Sequence, residues 1–206
     1  MKLYNSIGPN PRAVTLFMAE KGIDIPRAEV DLMAGENRRE PYLKVNPAGQ
    51  MPALELDDGT VLTEITAVCE YLEELNPEPV LIGRTAEERA RTRMWTRRVD
   101  LKVCEPMANG FRFSEGLKLF EGRMRCLPEA APGLKAVAQD GLQWLEANFE
   151  GPYLVGSRFS LADILLFSFL EFGARVGQPL DPGLAKINGW YKRVSERESV
   201  TGKVPA

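Results

Sequence analysis

The sequence contains no histidine among its 206 residues. This absence removes the usual general base, and with it the Ser-His and Cys-His arrangements of many hydrolases. The chain has only three cysteines, Cys69, Cys104 and Cys126, which lie far apart and form no C-x-x-C pair. We therefore expect no metal site, and the odd cysteine count argues against a disulfide framework.

Long apolar runs and an excess of positive charge are also missing. The longest apolar stretch, ILLFSFL, contains Ser168 and falls well short of the ~18 residues that a membrane span needs. The net charge is -3, whereas nucleic-acid binding requires a basic surface. The N-terminal MKLYNSIG lacks the apolar stretch of a secretory signal. We expect a cytoplasmic protein that binds neither nucleic acid nor membranes.

The first third of the chain alternates strand and helix patterns. KLYN predicts a strand, and PRAVTLFMAEKG predicts a helix with Asn10 as N-cap, Pro11 at the first helical position and Gly22 after its end. RAEVDL predicts a second strand, and MPALELDDGTVLTE predicts a hairpin around DDGT. ITAVCEYLEEL predicts a helix that ends near Asn76. The predicted order is βαβ, an irregular segment, then ββα.

The rest of the chain has helical patterns. Two prolines in NPEPVLIG indicate a linker, which we place at residues 78–85. TAEERARTRMWTRRVDLKV begins with a capping box, and in RFSLADILLFSFLEF a second one pairs Ser160 with Asp163. The body of this second helix is apolar on all sides, which predicts the buried centre of a bundle. We predict an α/β domain over residues 1–77 and an all-helical domain over residues 86–206.

These segments, in this order, resemble the glutathione S-transferase superfamily along almost the whole chain. NPAGQMPALELDDGTVLTE is similar to the family's glutathione-binding segment, where N-P-x-G-x-V-P-x-L precedes a hairpin that ends in Glu-Ser. FSLADI resembles the capping box of its central C-terminal helix, and INGWYKRVSERESV resembles its closing helix. The resemblance implies a thioredoxin-like βαβ-ββα domain that binds glutathione as co-substrate, an all-helical C-terminal domain and a homodimer.

The family pattern assigns roles to the hairpin. Its X-Pro bond is cis, which implies that the N–H and C=O of Met51, ahead of Pro52, pair with the cysteinyl backbone of glutathione. Alone, this proline also fits the first position of a strand. The γ-glutamyl carboxylate is expected at the helix N-terminus that follows Glu64, with Glu64 holding the ammonium group. Ile65 replaces the serine that usually follows this glutamate in the family. We therefore expect Thr66 to supply a hydroxyl and the affinity for glutathione to be lower.

The glycyl end of the ligand has a weaker pattern. Gln50 stands where many relatives have a lysine for the glycyl carboxylate. A neutral amide donates hydrogen bonds without charge assistance, so an arginine of GENRRE, Arg38 in our assignment, is expected to compensate. The same run is also typical of a solvated turn.

The turn YNSIGPNPRAV occupies the place of the family's activating residue, which is Tyr, Ser or Cys in different classes. We assign Asn10, helped by Ser6 and the helix N-terminus, to stabilise the thiolate of glutathione. An amide N–H and a helix dipole favour an anion without titrating themselves. Tyr4 is the third candidate, and Asn10 also fits a plain N-cap.

The second substrate implied by the resemblance is a small hydrophobic electrophile. Trp95, Met107, Phe111 and Phe113 are apolar enough to line its pocket, although such spacing is more often that of a core. The leading hypothesis is conjugation of the glutathione thiolate with this electrophile. Two alternatives stay open: glutathione-dependent reduction of disulfides or peroxides, which needs no protein cysteine, and a non-catalytic relative that serves protein contacts.

Overall fold

A computed structural model describes residues 1–202. The chain divides into two compact units, Met1–Pro79 and a second unit that begins at Val80. Residues 203–206 of the predicted helical domain lie outside the described residues. The predicted linker at residues 78–85 spans this division and stays a prediction. Within the described residues, no helix combines the length and the apolar character that crossing a membrane requires.

The N-terminal unit, described throughout, is a four-stranded mixed sheet with helices. The strand order is β2-β1-β3-β4, with β1 parallel to β2 and the other pairs antiparallel, which confirms the predicted βαβ-ββα class. The segment predicted as irregular contains a 3₁₀ turn, Glu36–Arg38, and a short helix. The elements are β1 (Lys2–Asn5), α1 (Pro9–Lys21), β2 (Arg27–Glu29), α2 (Tyr42–Val45), β3 (Ala53–Glu55), β4 (Val61–Thr63) and α3 (Ile65–Leu75).

A buried ion pair joins the C-terminal ends of α1 and α3. The Lys21 ammonium contacts the Glu73 carboxylate, and both side chains are almost fully buried. The same ammonium donates to the carbonyl oxygens of Asn76 at 2.6 Å and Pro79 at 2.7 Å. Each of its three N–H donors therefore has an acceptor, the condition under which a buried lysine is tolerated. Gly22 ends α1 in the left-handed region at φ 65°, which confirms the predicted C-terminal glycine.

The C-terminal unit is helical. α4 continues through a π-helical turn, Asp100–Cys104, into α5, so the long helix predicted from Thr85 changes its helix type at Asp100. The helices are α4 (Ala86–Val99), α5 (Glu105–Arg112), α6 (Leu117–Phe120), α7 (Ala131–Asn148), α8 (Leu161–Arg175), α9 (Ala185–Ser195) and α10 (Glu198–Thr201).

Helix α8 is the buried centre of this unit, as predicted. Every residue from Leu161 to Leu170 is buried. The capping box at its start is confirmed, since the N–H and the hydroxyl of Ser160 donate to Oδ2 of Asp163 at 2.9 and 2.8 Å. Oδ1 of Asp163 accepts from the N–H of Leu154 at 2.9 Å and from Nε1 of Trp190 at 2.8 Å. One carboxylate thus ties α8 to the preceding loop and to α9.

Candidate functional site

The predicted site segments of the N-terminal unit meet at one edge of its sheet. In the strand register Tyr4 lies opposite Ala53, and Ala53 lies opposite Thr63. Strands β1 and β4 end at this edge, and β3 begins there. The β1–α1 turn, residues 50–52 and the N-terminus of α3 therefore all adjoin the same edge.

The β1–α1 turn differs from the prediction in where the helix begins. Gly8 is the N-cap, with φ 124° and ψ 170°, and Pro9 is the first helical residue. The assignment of Asn10 as N-cap and Pro11 as first helical residue was therefore wrong. Both prolines fit because N–H groups in the first helical turn have no acceptor within the helix. Asn10 lies between them, at the second helical position.

This start of α1 offers few backbone donors. Pro9 and Pro11 have no N–H, and the first N–H bonded within the helix is that of Arg12, which donates to the Gly8 carbonyl at 3.2 Å. Asn10 alone among the first three helical residues has an N–H, and no acceptor for it is found within the described part of the chain. An anion at this helix end would therefore meet the backbone N–H and the side-chain amide of one residue.

The three candidates for contact with sulfur differ in how their side chains are used. The Tyr4 hydroxyl donates to Glu55 Oε2 at 2.8 Å. The Ser6 hydroxyl donates to the Val30 carbonyl at 2.7 Å, which joins the turn to the end of β2. The half-buried amide of Asn10 has no hydrogen-bond partner among residues 1–202. Asn10 is thus the candidate whose side chain is available.

Met51 presents an unpaired backbone beside a buried side chain. The Met51–Pro52 bond is cis, as the resemblance implied. The Met51 side chain is 8% exposed and belongs to a cluster with Val30 and Tyr42. Its N–H and C=O have no partner in the part of the chain that the structure describes. Backbone groups left unpaired in this way are completed by water or a ligand.

The loop before Met51 is held by the 3₁₀ turn. The Asn37 side chain donates to the Gly49 carbonyl at 2.6 Å, and Arg38 Nη1 donates to the Ala48 carbonyl at 3.0 Å. Gly49 has φ 64°, and a Cβ there would lie 2.7 Å from Arg38 Nη1 and from the Asn37 carbonyl oxygen. Arg38 therefore supports the loop itself, a role that the sequence did not suggest. Gln50 is exposed beside it.

Two further residues that the sequence reasoning missed fix the same loop. The carbonyl oxygen of Gln50 accepts from the Tyr42 hydroxyl at 2.5 Å and from Asn46 Nδ2 at 2.8 Å. Asn46 Oδ1 also accepts from the N–H of Ala48 at 3.0 Å. The signal was a tyrosine followed by an asparagine in YLKVNP, because a buried Tyr hydroxyl usually has a hydrogen-bond partner.

The N-terminus of α3 combines free donors with an unusual backbone. Glu64 is its N-cap with φ 70° and ψ 128°, and it is the one non-glycine residue with positive φ among those described. The first N–H bonded within the helix is that of Val68, to the Glu64 carbonyl at 3.0 Å. The N–H groups of Ile65, Thr66 and Ala67 have no acceptor within residues 1–202. These donors and the helix dipole favour a carboxylate.

Two exposed apolar residues at this edge were also missed. Ile7 is 64% exposed and Met33 is 65% exposed, more than any other large apolar side chain in the described chain. Ile7 lies in the β1–α1 turn, and Met33 lies in the loop that follows β2. Since β1 and β2 are parallel neighbours, both side chains come from the same edge as the other site segments.

The apolar candidates in the C-terminal unit lie mostly in its interior. Met107 has no exposed surface, and Phe113 is 9% exposed. The half-buried ring of Phe111 packs edge-on against two other phenylalanine rings. Trp95 packs against Trp144 with ring centroids 6.1 Å apart. The structure thus places Met107 and Phe113 in the core of the helical unit, the alternative that their spacing favoured.

Two of the three cysteines, Cys69 and Cys104, do not resemble reactive thiols. Cys69 and Cys104 are fully buried, and burial raises the pKa of both thiols well above the ordinary value. Cys126 is half-buried and lies in the segment between α6 and α7. Among the described residues, no group of three or more His, Cys, Asp or Glu side chains has an arrangement that could hold a metal ion.

Comparisons with known proteins agree with this architecture. Residues 7–75 match the family model described as glutathione S-transferase, N-terminal domain, and residues 114–198 match that described as glutathione S-transferase, C-terminal domain. Glutathione S-transferase 2 of Saccharomyces cerevisiae is 31% identical over 97% of this chain and 88% of its own length. Glutathione S-transferase GstA of Escherichia coli O157:H7 is 32% identical over 100% of this chain and 98% of its own length.

Solved structures agree as well. The crystal structure of Gtt2 from Saccharomyces cerevisiae matches with a TM-score of 0.91 and 31% identity, over 99% of this chain and 100% of that chain. The crystal structure of beta-etherase LigF from Sphingobium sp. matches with a TM-score of 0.83 and 27% identity, over 98% of this chain and 96% of that chain. The names of these proteins cover more than one reaction.

Proposed function

Because the chain belongs to the glutathione S-transferase superfamily, we propose that it binds glutathione in its N-terminal unit and transfers it to a small hydrophobic electrophile. The observation that supports this most is the gathering of unpaired backbone groups at one sheet edge, at Met51 and at the start of α3. In the reaction, the glutathione thiolate attacks an electrophilic carbon and forms a C–S bond. The leaving group departs with its electron pair.

The free N–H and C=O of Met51 are assigned to the cysteinyl backbone of glutathione, as a two-bond β-addition. The γ-glutamyl carboxylate is assigned to the N–H groups of Ile65 and Thr66, and the exposed Glu64 carboxylate to the ligand's ammonium. Ile65 supplies no hydroxyl, and the exposed hydroxyl of Thr66 is assigned in its place. Pro52 sets the direction of the chain into β3.

The glycyl carboxylate is assigned to Gln50 and Arg38. Both side chains are exposed: Gln50 directly precedes Met51, and Arg38 lies in the 3₁₀ turn that holds this loop. Arg38 also donates to the Ala48 carbonyl, and this hydrogen bond holds its guanidinium near this end of the site. An arginine adds charge-assisted hydrogen bonds, which a glutamine alone does not provide.

Asn10 is assigned to the sulfur. Its amide and backbone N–H are available at the start of α1, whereas the hydroxyls of Ser6 and Tyr4 already donate elsewhere. Hydrogen bonds to a thiolate lower the pKa of the thiol, and thereby populate the nucleophile at neutral pH. Ser6 keeps a supporting role through its hydrogen bond to the Val30 carbonyl, which ties the turn before Asn10 to the end of β2.

The exposed apolar side chains of Ile7 and Met33 support a hydrophobic second substrate. Large apolar side chains exposed beside a polar site are typical of ligand-binding surfaces. Their exposures of 64% and 65% leave most of each side chain available for contact with the electrophile. Family membership further supports a cytoplasmic homodimer of about 46 kDa, twice the 23.0 kDa of one chain.

The experiment is a paired measurement on the purified protein. Isothermal titration calorimetry with glutathione tests binding, and two assays then compare conjugation of a chloronitrobenzene with reduction of a hydroxyethyl disulfide. We expect binding and faster conjugation. Faster disulfide reduction would replace the transferase with a reductase, and binding without either activity would favour a non-catalytic relative. No heat of binding would refute the proposal as a whole.

A further inference from the structure

The peptide group between Gln50 and Met51 has hydrogen-bond partners on one side only. Its oxygen accepts from the Tyr42 hydroxyl at 2.5 Å and from Asn46 Nδ2 at 2.8 Å. Its N–H, which belongs to Met51, has no acceptor in the described part of the chain. The oxygen side is therefore fixed by protein, and the nitrogen side is open to a ligand.

Hydrogen bonds to a peptide oxygen act on the N–H of the same peptide. They polarise the C–N bond and strengthen the N–H as a donor, by roughly 10–30% per bond. Two donors from different directions also restrict rotation of the peptide plane, which fixes where the N–H points. Both effects increase the affinity of that N–H for a carbonyl oxygen.

We propose that Tyr42 and Asn46 are positioning residues for the glutathione site, which orient and polarise the Gln50–Met51 peptide so that the Met51 N–H binds the cysteinyl carbonyl. This inference rests on the proposed function, because it names the residues that prepare one contact of the same ligand. Neither residue contacts the ligand in this scheme.

The placement of Tyr42 suits this role. The residue begins α2 and is 4% exposed, and its ring packs edge-on against Tyr4 with centroids 5.7 Å apart. Val30 and Met51 complete the apolar cluster around it. Burial raises the pKa of Tyr42 to about 12, so the hydroxyl remains protonated and a donor across the neutral pH range.

Asn46 is placed to hold both ends of the turn. It is 5% exposed, its Nδ2 donates to Gln50, and its Oδ1 accepts from the N–H of Ala48 at 3.0 Å. Gly49 adds a backbone bond to the Asn46 carbonyl at 2.8 Å. These contacts make the turn rigid, so a change at the Gln50 oxygen is not absorbed by movement of the loop.

The first test is Tyr42→Phe, which removes one donor and keeps the buried ring. We expect the Kd and the KM for glutathione to rise about threefold to tenfold, the range that one neutral hydrogen bond allows. The kcat at saturating substrates should stay within about twofold, since the contact forms on binding. The amide proton resonance of Met51 should move upfield in the ligand-free protein, because its polarisation decreases.

A second variant and a matched control complete the experiment. Asn46→Asp keeps an oxygen for the Ala48 N–H but turns the donor that faces Gln50 into an acceptor, so we expect a larger rise in Kd. Tyr191→Phe removes a hydroxyl from α9 that has no hydrogen-bond partner within residues 1–202. Its Kd should equal that of the wild type.

The outcomes separate this inference from the proposed function. If the wild type binds no glutathione, the proposed function fails and the inference fails with it. If the wild type binds glutathione but Tyr42→Phe keeps its Kd and its Met51 resonance, the inference is wrong and the proposed function stands. A loss of thermal stability without a change in Kd would likewise assign Tyr42 to packing alone and refute the inference.

Discussion

At the scale of single residues, the proposed contact with the glutathione sulfur depends on one amide. Asn10 is the one residue among the first three helical positions that has both a backbone N–H and a side-chain donor, because prolines flank it. We expect Asn10→Ala to raise the thiol pKa of bound glutathione by about one unit, the equivalent of one lost hydrogen bond. The thiolate absorbance of the complex, followed as a function of pH, measures this shift.

Ser6→Ala is the matched control for that measurement. Its hydroxyl donates to the Val30 carbonyl, so its removal should lower stability by about 1 kcal/mol and leave the thiol pKa close to that of the wild type. A larger pKa change in Ser6→Ala than in Asn10→Ala would move the thiolate contact to the serine.

Glu64 combines an unfavourable backbone conformation with a carboxylate that the proposed function assigns to the ammonium group of glutathione. A non-glycine residue at φ 70° costs about 1–3 kcal/mol, and glycine adopts this region without a steric penalty. We expect Glu64→Gly to raise the free energy of unfolding by about 1 kcal/mol and to weaken glutathione binding. Glu64→Ala should weaken binding equally with no gain in stability, since its Cβ keeps the strain. Denaturant titration and calorimetry measure both quantities, and equal stability of the two variants would contradict strain at this residue.

At the scale of elements, the start of α8 makes stability depend on pH. Burial raises the pKa of Asp163 to about 6, against the hydrogen bonds that it accepts, whereas an unfolded Asp titrates near ~3.9. The folded protein therefore retains a proton that the unfolded chain releases between about pH 4 and 6. The stability from this group is complete below pH ~4 and is lost as the pH rises through ~6, by about 3 kcal/mol in total.

Asp163→Asn removes this titration and serves as its reference. The variant should be less stable than the wild type. The NH₂ group of the new asparagine side chain would face N–H donors, those of Leu154 or Ser160, whose hydrogen bonds the Asp163 carboxylate accepts. The difference in unfolding free energy between the wild type and Asp163→Asn should shrink as the pH rises from 4 to 7. Denaturant unfolding at several pH values measures it. A difference that grows with pH would show that the donors outweigh burial and that Asp163 has a lowered pKa.

The sequence predicted elements well where local chemistry determines them, and poorly where tertiary contacts do. Ser160 and Asp163 satisfy the helix start between themselves, so their pattern was sufficient. The start of α1 was misplaced because Pro9 and Pro11 fit equally and only the conformation of Gly8 decides between them. Helix α2 was missed because four residues leave no periodicity to detect, and the Tyr42 hydroxyl is held by a hydrogen bond to the Gln50 carbonyl in the loop that follows.

At the scale of the whole molecule, the order of patterns was sufficient for the fold, whereas the roles of the site residues stay predictions. The segments at Met51 and Glu64 were assigned from the resemblance to the family, and the structure confirms the cis bond before Pro52 and the helix start after Glu64. The supporting residues Asn37, Tyr42 and Asn46 act through single hydrogen bonds to backbone carbonyls. Such bonds depend on how the chain folds back on itself, so the pattern YLKVNP marks Tyr42 and Asn46 without indicating which carbonyl oxygen they reach.

Binding by the complete chain should appear as a gain in thermal stability. A ligand at 100 times its Kd stabilises the state that binds it by about 2.7 kcal/mol, which corresponds to roughly 5–10 °C in the unfolding temperature of a protein of this size. We expect glutathione to give a shift of this order. Cysteinylglycine retains the cysteinyl and glycyl groups but lacks the γ-glutamyl carboxylate, so it should give a much smaller shift.

The comparison of the two ligands isolates the N-terminus of α3. Under the proposed function, the free N–H groups of α3 bind the γ-glutamyl carboxylate of glutathione and have no such partner in the dipeptide, while the contact with Met51 is available to both. Added salt should reduce the advantage of glutathione, because attraction between a carboxylate and an exposed helix end is screened. Equal shifts with the two ligands would remove α3 from the binding site and leave Met51 as the principal contact.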